Sequence, residues 1–464
     1  MVKIFNHYVS KLVSALLLLE VFVLIVSMYG AHAFLFSHGY IAQEQSDLFF
    51  SSATAFSLAS AFSMAAFGLY HFAGKPSAAA IAFRLIPSSL LGFGISALFL
   101  TLIQELYVDP RVIGLATVTA AVAILLSRIA IFRTFEMPFL ASRVIFVGEG
   151  ALAKECSTLA VGTIFPKKYN IVGFVPLLTE ECLVSSSAIL SRDESLFSIA
   201  KKHSVEEIVV STQNQRGNSF PLHQLLECKM NGIKVTGAAA FFEREARQIR
   251  VDSLYPSWLI FGDGFNQSPF RSAYKRAFDL FVSAFIFTAA LPVMLLTAIC
   301  IVMEDRGPIF YRQERVGKDG KNFNVLKFRS MRCDAEKNGT PQWASTNDAR
   351  TTRVGRIIRK LRIDELPQLF NVLKGEMSFV GPRPERPFFV RQLNEQIAYY
   401  NMRHSIKPGI TGFAQVRYQY GSSVEDALQK LQYDLYYVKN NGLFLDLLIL
   451  VETLQVVLFA KGSR

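Results

Sequence analysis

Apolar residues are distributed unevenly along the 464-residue chain. Four long apolar runs come first, at about Leu12 to Phe34, Phe49 to Tyr70, Leu85 to Leu106 and Val112 to Phe132. Each is close to the roughly 20 residues that a helix needs to cross a bilayer. The pattern predicts a membrane α-helical bundle of four spans over residues 1–136. The first run is too long for the apolar core of a cleaved signal peptide, and further runs follow it. The second is rich in Ser and Ala, which suits a helix partly shielded by its neighbours. From 141 to 264 the pattern changes. Arg143 to Gly148, Ile171 to Val175, Glu207 to Ser211 and Ile233 to Thr236 read as strands, and Leu222 to Asn231 as a helix. Strand–helix alternation predicts a parallel sheet in an α/β, Rossmann-like domain. A third region, 272–464, opens on a fifth apolar run, Phe278 to Met303, and continues as a compact basic segment.

Flanking charge sets the expected topology. Lys3 and Lys11 precede the first run, Lys75 and Arg84 lie in the second loop, and Arg133 and Arg143 follow the fourth run, while the loop from Ser37 to Asp47 has neither Lys nor Arg. The positive-inside rule then puts both ends of the bundle in the cytoplasm. The fifth run is basic on both sides, with Lys275 and Arg276 before it and Arg306, Arg312, Arg315 and Lys318 after it. Pro292 interrupts its middle, where it removes a helix hydrogen bond. Cationic ends and a central proline predict a re-entrant helix over about 275–303, broken at Pro292, rather than a straight crossing. The last segment, Leu443 to Ala460, is apolar on most faces but carries Asp446, Glu452 and Gln455, and reads as an interfacial helix.

Composition agrees with a membrane protein. Hydrophobic residues make up 51% of the chain, yet its formal net charge is +12. Nucleic acid would be drawn to the same charge. The five cysteines, Cys156, Cys182, Cys228, Cys300 and Cys333, are scattered without a CxxC pair, which excludes a zinc-ribbon or disulfide framework and reads as reduced thiols.

Several segments carry candidate chemistry. Gly148-Glu149-Gly150-Ala151-Leu152-Ala153 follows the first strand of the α/β region. Its third glycine position is Ala153, and no acidic residue closes the second strand, so a structural or regulatory domain is expected over an NAD site. Asp364 and Glu365 stand just after a run of cations, Arg350, Arg353, Arg356, Arg359, Lys360 and Arg362. Cations nearby push carboxylates toward the ionised form, which binds a hard metal ion or attacks phosphorus. On a helix the two point about 100° apart, which suits a division of labour. Arg359, so close to the pair, is the best phosphate ligand of the run. Lys327 and Arg329 alternate onto one face of a predicted strand, where two cations can contact a diphosphate. Pro408 to Gln415 is a glycine-rich loop able to approach a ligand closely.

Three ordered motifs give a resemblance. Lys-Phe-Arg-Ser-Met at 327–331, the stretch from Asp364 through Gly381-Pro382-Arg383-Pro384, and Lys-Pro-Gly-Ile-Thr-Gly-Phe-Ala-Gln-Val at 407–416 together resemble the bacterial sugar transferase family. The bundle and α/β domain ahead of them resemble its large members, which initiate exopolysaccharide or capsule synthesis. The resemblance implies an α+β monotopic catalytic domain on the cytoplasmic face of a bacterial inner membrane. The implied reaction is transfer of a sugar 1-phosphate from a UDP-sugar to undecaprenyl phosphate with release of UMP. Asp364 is implied as nucleophile and Mg2+ ligand, and Glu365 as its helper. Lys327, Arg359 and Arg383 are implied near the phosphates, with Pro408, Gly409, Thr411, Gly412 and Gln415 on the nucleotide side. Lipid bilayer, UDP-sugar and undecaprenyl phosphate are then the expected partners. A homo-oligomer is compatible with the sequence, and nucleic acid is not expected. Glucose and galactose donors are the first candidates. Two other readings have their own signatures. A membrane-bound, NAD-dependent nucleotide-sugar dehydratase needs a Tyr-x-x-x-Lys pair after a complete glycine motif. A non-enzymatic, membrane-tethered binding protein would show no turnover and steeply salt-dependent binding.

Overall fold

A computed structural model describes residues 2–4, 7–9, 11–41, 48–70, 76–134, 141–161, 168–177, 181–185, 188–191, 194–212, 220–251, 264–265, 268–332, 350–418, 421 and 423–458. They form two compact units, one holding Tyr8–Ala246 and the other Arg247–Arg464.

The first unit contains α1 (Lys11–Ser37), α2 (Phe49–Ala66), α3 (Ala78–Leu102) and α4 (Pro110–Thr134). All four are long and apolar enough to cross a membrane. α3 starts well ahead of the expected Leu85 because Ser77 caps it, its Oγ accepting from the Ala80 N–H at 3.2 Å. α1 packs on α2 and α4, and α3 on both of those, around Met28, Phe56, Leu100 and Ile113. The Ser- and Ala-rich α2 is the sheltered helix: half of its apolar window is buried, against 22–28% in the other three. An ion pair that the pattern did not reveal lies inside this bundle. Arg128 Nε donates to Glu20 Oε1 at 2.6 Å, Arg128 Nη1 to the Leu69 carbonyl at 2.7 Å, and Tyr70 Oη to Glu20 Oε2 at 2.7 Å. Glu20 and Arg128 are fully buried, so α1, α4 and the chain just after α2 are tied together inside the bundle.

The same unit continues as β1 (Ser142–Val147), α5 (Ala151–Val161), β2 (Tyr169–Val175), α6 (Leu196–Lys202), β3 (Glu207–Val210), α7 (Leu222–Met230), β4 (Lys234–Gly237) and α8 (Ala238–Glu245). The strands pair in the order β2-β1-β3-β4, all parallel. Alternation explains its two faces. Val144, Phe146 and Val209 pack on the α5 and α8 side, and Ile145, Val147, Ile208 and Val210 on the α6 and α7 side. In the glycine turn the backbone covers itself: the Glu149 carbonyl accepts from the Leu183 N–H at 2.9 Å and the Glu149 side chain is buried. Cys156, Cys182, Cys228 and Cys300 form no disulfide among the described residues; Cys333 lies outside them.

In the second unit, Ile249 lies in the core and donates its N–H to the Gln432 carbonyl at 3.0 Å. The sequence pattern ran the α/β region on to Gly264; the chain leaves the sheet after α8 instead, because Ile249 finds its apolar partners here. α9 (Pro269–Asp305) follows, then the hairpin β5 (Phe310–Val316) and β6 (Asn322–Phe328). Next come α10 (Arg353–Lys360), a 3-10 turn at Ile363–Glu365, α11 (Gln368–Lys374), β7 (Ser378–Val380), α12 (Pro387–Gln396), a 3-10 stretch at Tyr400–Ser405, β8 (Gly409–Thr411), α13 (Phe413–Arg417), α14 (Val424–Asn440) and α15 (Leu443–Leu458). β7 and β8 pair in parallel.

α9 corrects one expectation. Its backbone stays helical through Pro292, where two half-helices were expected. A proline costs the Thr288 carbonyl its usual donor and bends the axis without having to end the helix. α9 lies along its own unit over its whole length. Arg276 donates to the Val372 and Leu373 carbonyls at the end of α11, at 2.5 and 2.8 Å. Asp279 accepts from Ser378 Oγ and the Phe379 N–H, both at 3.0 Å. Phe287 meets Phe370 edge to face, Met294 and Ile301 pack with Phe328 and Ile358, and Glu304 caps α10 through the Arg353 and Val354 N–H groups. In α15 one of the polar residues that argue for an interfacial helix, Asp446, points into protein. Asp446 is fully buried and accepts from Lys275 Nζ at 2.7 Å and Tyr437 Oη at 2.6 Å.

Removing one partner of a buried pair strands the other charge. Glu20→Ala and Arg128→Ala are each expected to lower stability by about 3–5 kcal/mol, and the apolar double replacement Glu20→Leu/Arg128→Met to recover most of it. Unfolding in mixed micelles measures this; single losses below about 1 kcal/mol would contradict it.

Candidate active site

The candidate chemistry gathers around β6, the Ile363–Glu365 turn and the Gly381–Pro384 turn. On β6, Val325 packs inward with Val372 and Met377. Strand alternation turns Lys327 the same way, and its Nζ lies 2.9 Å from Glu365 Oε1. Arg383 Nη2 lies 2.9 Å from that same oxygen. One carboxylate oxygen therefore holds two cations.

The turn itself is set by Arg362. α10 ends at Lys360, Arg362 takes left-handed backbone angles (φ 59°), and the tight turn that follows separates the two acids. Asp364 is 9% exposed, and its carboxyl accepts no hydrogen bond from the described residues. Burial, reinforced by the negative charge of Glu365, pushes the Asp364 carboxyl up to about 6 against the pull of Lys327, Arg362 and Arg359. Glu365 goes the other way. Burial would raise it too, but Lys327, Arg383 and Arg362 outweigh that and hold it well below the usual carboxylate range. Burial also lowers the Lys327 ammonium, only partly offset by Glu365. The cations that precede the pair in sequence predict that both acids are ionised. For Asp364 the direction is reversed, because it is buried and its neighbour takes the two closest cations.

The other expected residues sort into three groups. Arg359, half-buried on α10, contributes its charge to Asp364. Arg329 does not stay beside Lys327. β6 ends at Phe328, and Arg329 turns to pack its guanidinium over Gly307, so close that a Cβ on Gly307 would meet its Nη1 at 1.8 Å. The Pro408–Gln415 loop braces the turn that carries Arg383. The Pro408 carbonyl accepts from the Ser378 N–H at 2.8 Å, the Gly409 N–H donates to the Pro382 carbonyl at 2.9 Å, and the Thr411 carbonyl accepts from the Gly381 N–H at 2.9 Å. A Cβ on Gly409 would stand 2.1 Å from the Gly381 nitrogen, so only glycine allows this approach. The Thr411 hydroxyl pairs with Thr453 at 2.7 Å. Gly412 is buried, and Gln415 Oε1 sits beside it without a hydrogen-bond partner among the described residues.

Comparison with known proteins decides the family. The bacterial sugar transferase profile matches residues 270–460, from the start of α9 through α15. A UDP-glucose:undecaprenyl-phosphate glucose-1-phosphate transferase of Caulobacter vibrioides is 40% identical over 191 residues, 41% of this chain and 71% of that protein. The chain belongs to the bacterial sugar transferase family. A UDP-N-acetylgalactosamine-undecaprenyl-phosphate N-acetylgalactosaminephosphotransferase of Aeromonas hydrophila is 41% identical over 240 residues, 52% of this chain and 56% of that protein. An undecaprenyl-phosphate glucose phosphotransferase of Komagataeibacter xylinus is 42% identical over 194 residues, 41% of this chain and 36% of that protein. The matches thus span about half or less of these last two relatives.

In this sugar transferase chain, three residues behind the site were not singled out from sequence. Arg403 is buried and donates to the Arg383 carbonyl at 3.0 Å and to Tyr400 Oη at 2.6 Å, with Asp434 Oδ2 at 2.7 Å, so it holds the Arg383 turn from within. Asp279 fixes β7, which leads into that turn. Asn371 fastens α11 to the edge of β6, accepting from the Leu326 N–H at 3.0 Å and donating to the Asn324 carbonyl at 2.8 Å. Asp279 stands in the basic–apolar start of α9 as the first acid of the run, a weak signal; Arg403 and Asn371 have no local signature.

The opposed shifts of the two acids can be tested in the ligand-free protein. Asp364 is expected to be roughly half ionised at pH 6 and roughly nine-tenths ionised at pH 7. Glu365→Gln removes the like charge and frees Lys327 and Arg383, so the Asp364 midpoint falls. Infrared difference titration, with Asp364→Asn as blank, reads it; a wild-type midpoint at or below 4, or a rise in Glu365→Gln, would contradict the assignment.

Proposed function

We propose that this chain transfers a sugar 1-phosphate from a UDP-sugar to undecaprenyl phosphate, releases UMP, and so starts exopolysaccharide or capsule assembly. The observation that carries the reading is the unequal carboxylate pair: Glu365 clamped by Lys327 and Arg383, Asp364 beside it with its oxygens unengaged among the described residues. The activities of the relatives supply the acceptor, undecaprenyl phosphate, and name N-acetylgalactosamine and glucose donors.

In this reading an Asp364 oxygen attacks the β-phosphorus of the UDP-sugar. The bond from that phosphorus to the bridging oxygen breaks, and UMP leaves with the oxygen. A phosphate oxygen of undecaprenyl phosphate then attacks the phosphorus held on Asp364, and the carboxylate is restored. Two displacements replace one difficult transfer. Lys327 and Arg383, already converged on one oxygen of Glu365, bind phosphate oxygens in turn, and Arg359 and Arg362 add positive charge over the same place. Glu365 orients the two cations and keeps them apart from Asp364 until substrate arrives.

The donor set suits magnesium. No group of three or more His, Cys, Asp or Glu side chains gathers among the described residues, and Mg2+ commonly takes one or two carboxylates and completes its shell with water and substrate phosphate. Asp364 would hold it, and when bound it neutralises charge on the diphosphate.

α9 suits a re-entrant anchor. Its two ends and its middle are all fastened to one unit, as Arg276, Phe287 and Glu304 show by their partners, whereas a crossing helix would leave its own soluble domain behind. Cationic flanks on both sides agree with both ends at the cytoplasmic face. The pair of acids then lies at headgroup level, where a soluble nucleotide sugar and a lipid phosphate meet.

Turnover tests this directly. Protein in lipid nanodiscs, given Mg2+ and undecaprenyl phosphate, is offered UDP-N-acetylgalactosamine, UDP-glucose and UDP-galactose, and UMP is measured. UMP release is expected with at least one donor and to stop with EDTA. Asp364→Asn should lower the rate by at least about 1,000-fold, and Lys327→Ala by about 100-fold. A transfer rate unchanged in Asp364→Asn would sink the nucleophile assignment.

A further inference from the structure

Between the hairpin and α11, along the edge of β6, lies a cleft of about 380 Å3 bounded by Arg312, Asn324, Leu326, Phe370, Lys374 and Glu376, among others. Its walls are tied together through Asn371. Asn371 locks α11 to the β6 edge and also donates to Glu376 Oε2 at 2.6 Å, which engages the one acid of the lining. Arg312 and Lys374 are exposed, and neither makes an ion pair or side-chain hydrogen bond among the described residues. The cleft therefore offers two available cations against one engaged acid.

Its location narrows the occupant. Phe370, which lines the cleft, meets Phe287 of α9 at 5.0 Å between ring centroids. α9 in turn exposes Phe281, Phe285, Leu295 and Leu296, a surface that needs lipid around it. An anion seated between Arg312 and Lys374 thus sits beside a lipid-facing helix, and Phe323, Leu326 and Phe370 supply apolar walls for what is attached to it. We propose that this cleft binds the headgroup phosphate of an anionic phospholipid, with its acyl chains running along α9. The lining of the cleft includes none of Lys327, Asp364, Glu365 and Arg383, and the proposal does not depend on the transfer reading. Bound there, the lipid would brace the β6–α11 junction through which Lys327 is presented.

The full chain in nanodiscs of phosphatidylcholine with added phosphatidylglycerol provides the test, with retained lipid counted by native mass spectrometry after mild detergent extraction. Wild type should retain phosphatidylglycerol in preference to phosphatidylcholine. Arg312→Gln/Lys374→Gln should bind it roughly 30-fold more weakly, as expected for losing two headgroup-level cations. The charge-keeping Arg312→Lys/Lys374→Arg variant should retain it like wild type, which separates lost charge from misfolding. Millimolar glycerophosphate, the headgroup without tails, should leave retention unchanged. Equal retention by the wild type and the glutamine double variant overturns the proposal. So does displacement by glycerophosphate, which would make the cleft a site for a soluble phosphate.

Discussion

Two cations converge on a single oxygen of Glu365, and most of the catalytic unit is arranged to keep them there. Lys327 comes from β6, whose alternation aims it inward, and Arg383 from a turn held by β7, β8 and Arg403. By engaging the nearest positive charges, Glu365 leaves Asp364 buried beside a like charge. That raises one acid while the other is held ionised. A pair of adjacent acids in water would behave alike; this pair is divided by unequal access to the same cations. The asymmetry is what makes separate chemical roles physically reasonable.

The long apolar helix α9 is part of the same construction. An apolar rod alone would have no preferred angle against the domain. Polar ties fix it: Arg276 at the end of α11, Asp279 on β7, Lys275 within the Asp446–Tyr437 network, and Glu304 on α10. Each buried polar group in this set has a partner, as burial requires. Because Asp279 grips β7 and β7 runs into the Arg383 turn, the position of α9 and that of Arg383 are mechanically connected. The Glu20–Arg128 pair does comparable work in the other unit, where it joins α1, α4 and the chain just after α2.

The larger features could be read from the sequence because they are periodic. Long apolar runs became α1 to α4 and α9, and strand–helix alternation became the parallel β2-β1-β3-β4 sheet. The acidic pair could be read because its composition is unusual. What escaped depends on three-dimensional burial or on backbone angles. Nothing local announces that Arg362 adopts a left-handed conformation, or that Asp364 is shielded from solvent while Glu365 captures Lys327. The division between Lys327 and Arg329 was missed because period-two reasoning assumed a strand that in fact ends at Phe328. The Pro408–Gln415 glycines were understood as room for a ligand; in the fold, Gly409 makes room for the backbone of Gly381. Pro292 reads as a break in the sequence, whereas a helix with partners on both sides of a proline tolerates one lost hydrogen bond.

The central claim is that Asp364 becomes covalently bonded to phosphorus during the reaction. The most direct measurement is intact-protein and peptide mass spectrometry of the full chain incubated with Mg2+ and its UDP-sugar in the absence of lipid acceptor. The account predicts a mass increase equal to one phosphosugar, confined to the peptide carrying Asp364, that disappears when undecaprenyl phosphate is added. UMP formed in turnover with no such adduct under rapid quench, or an adduct on any other residue, would contradict it.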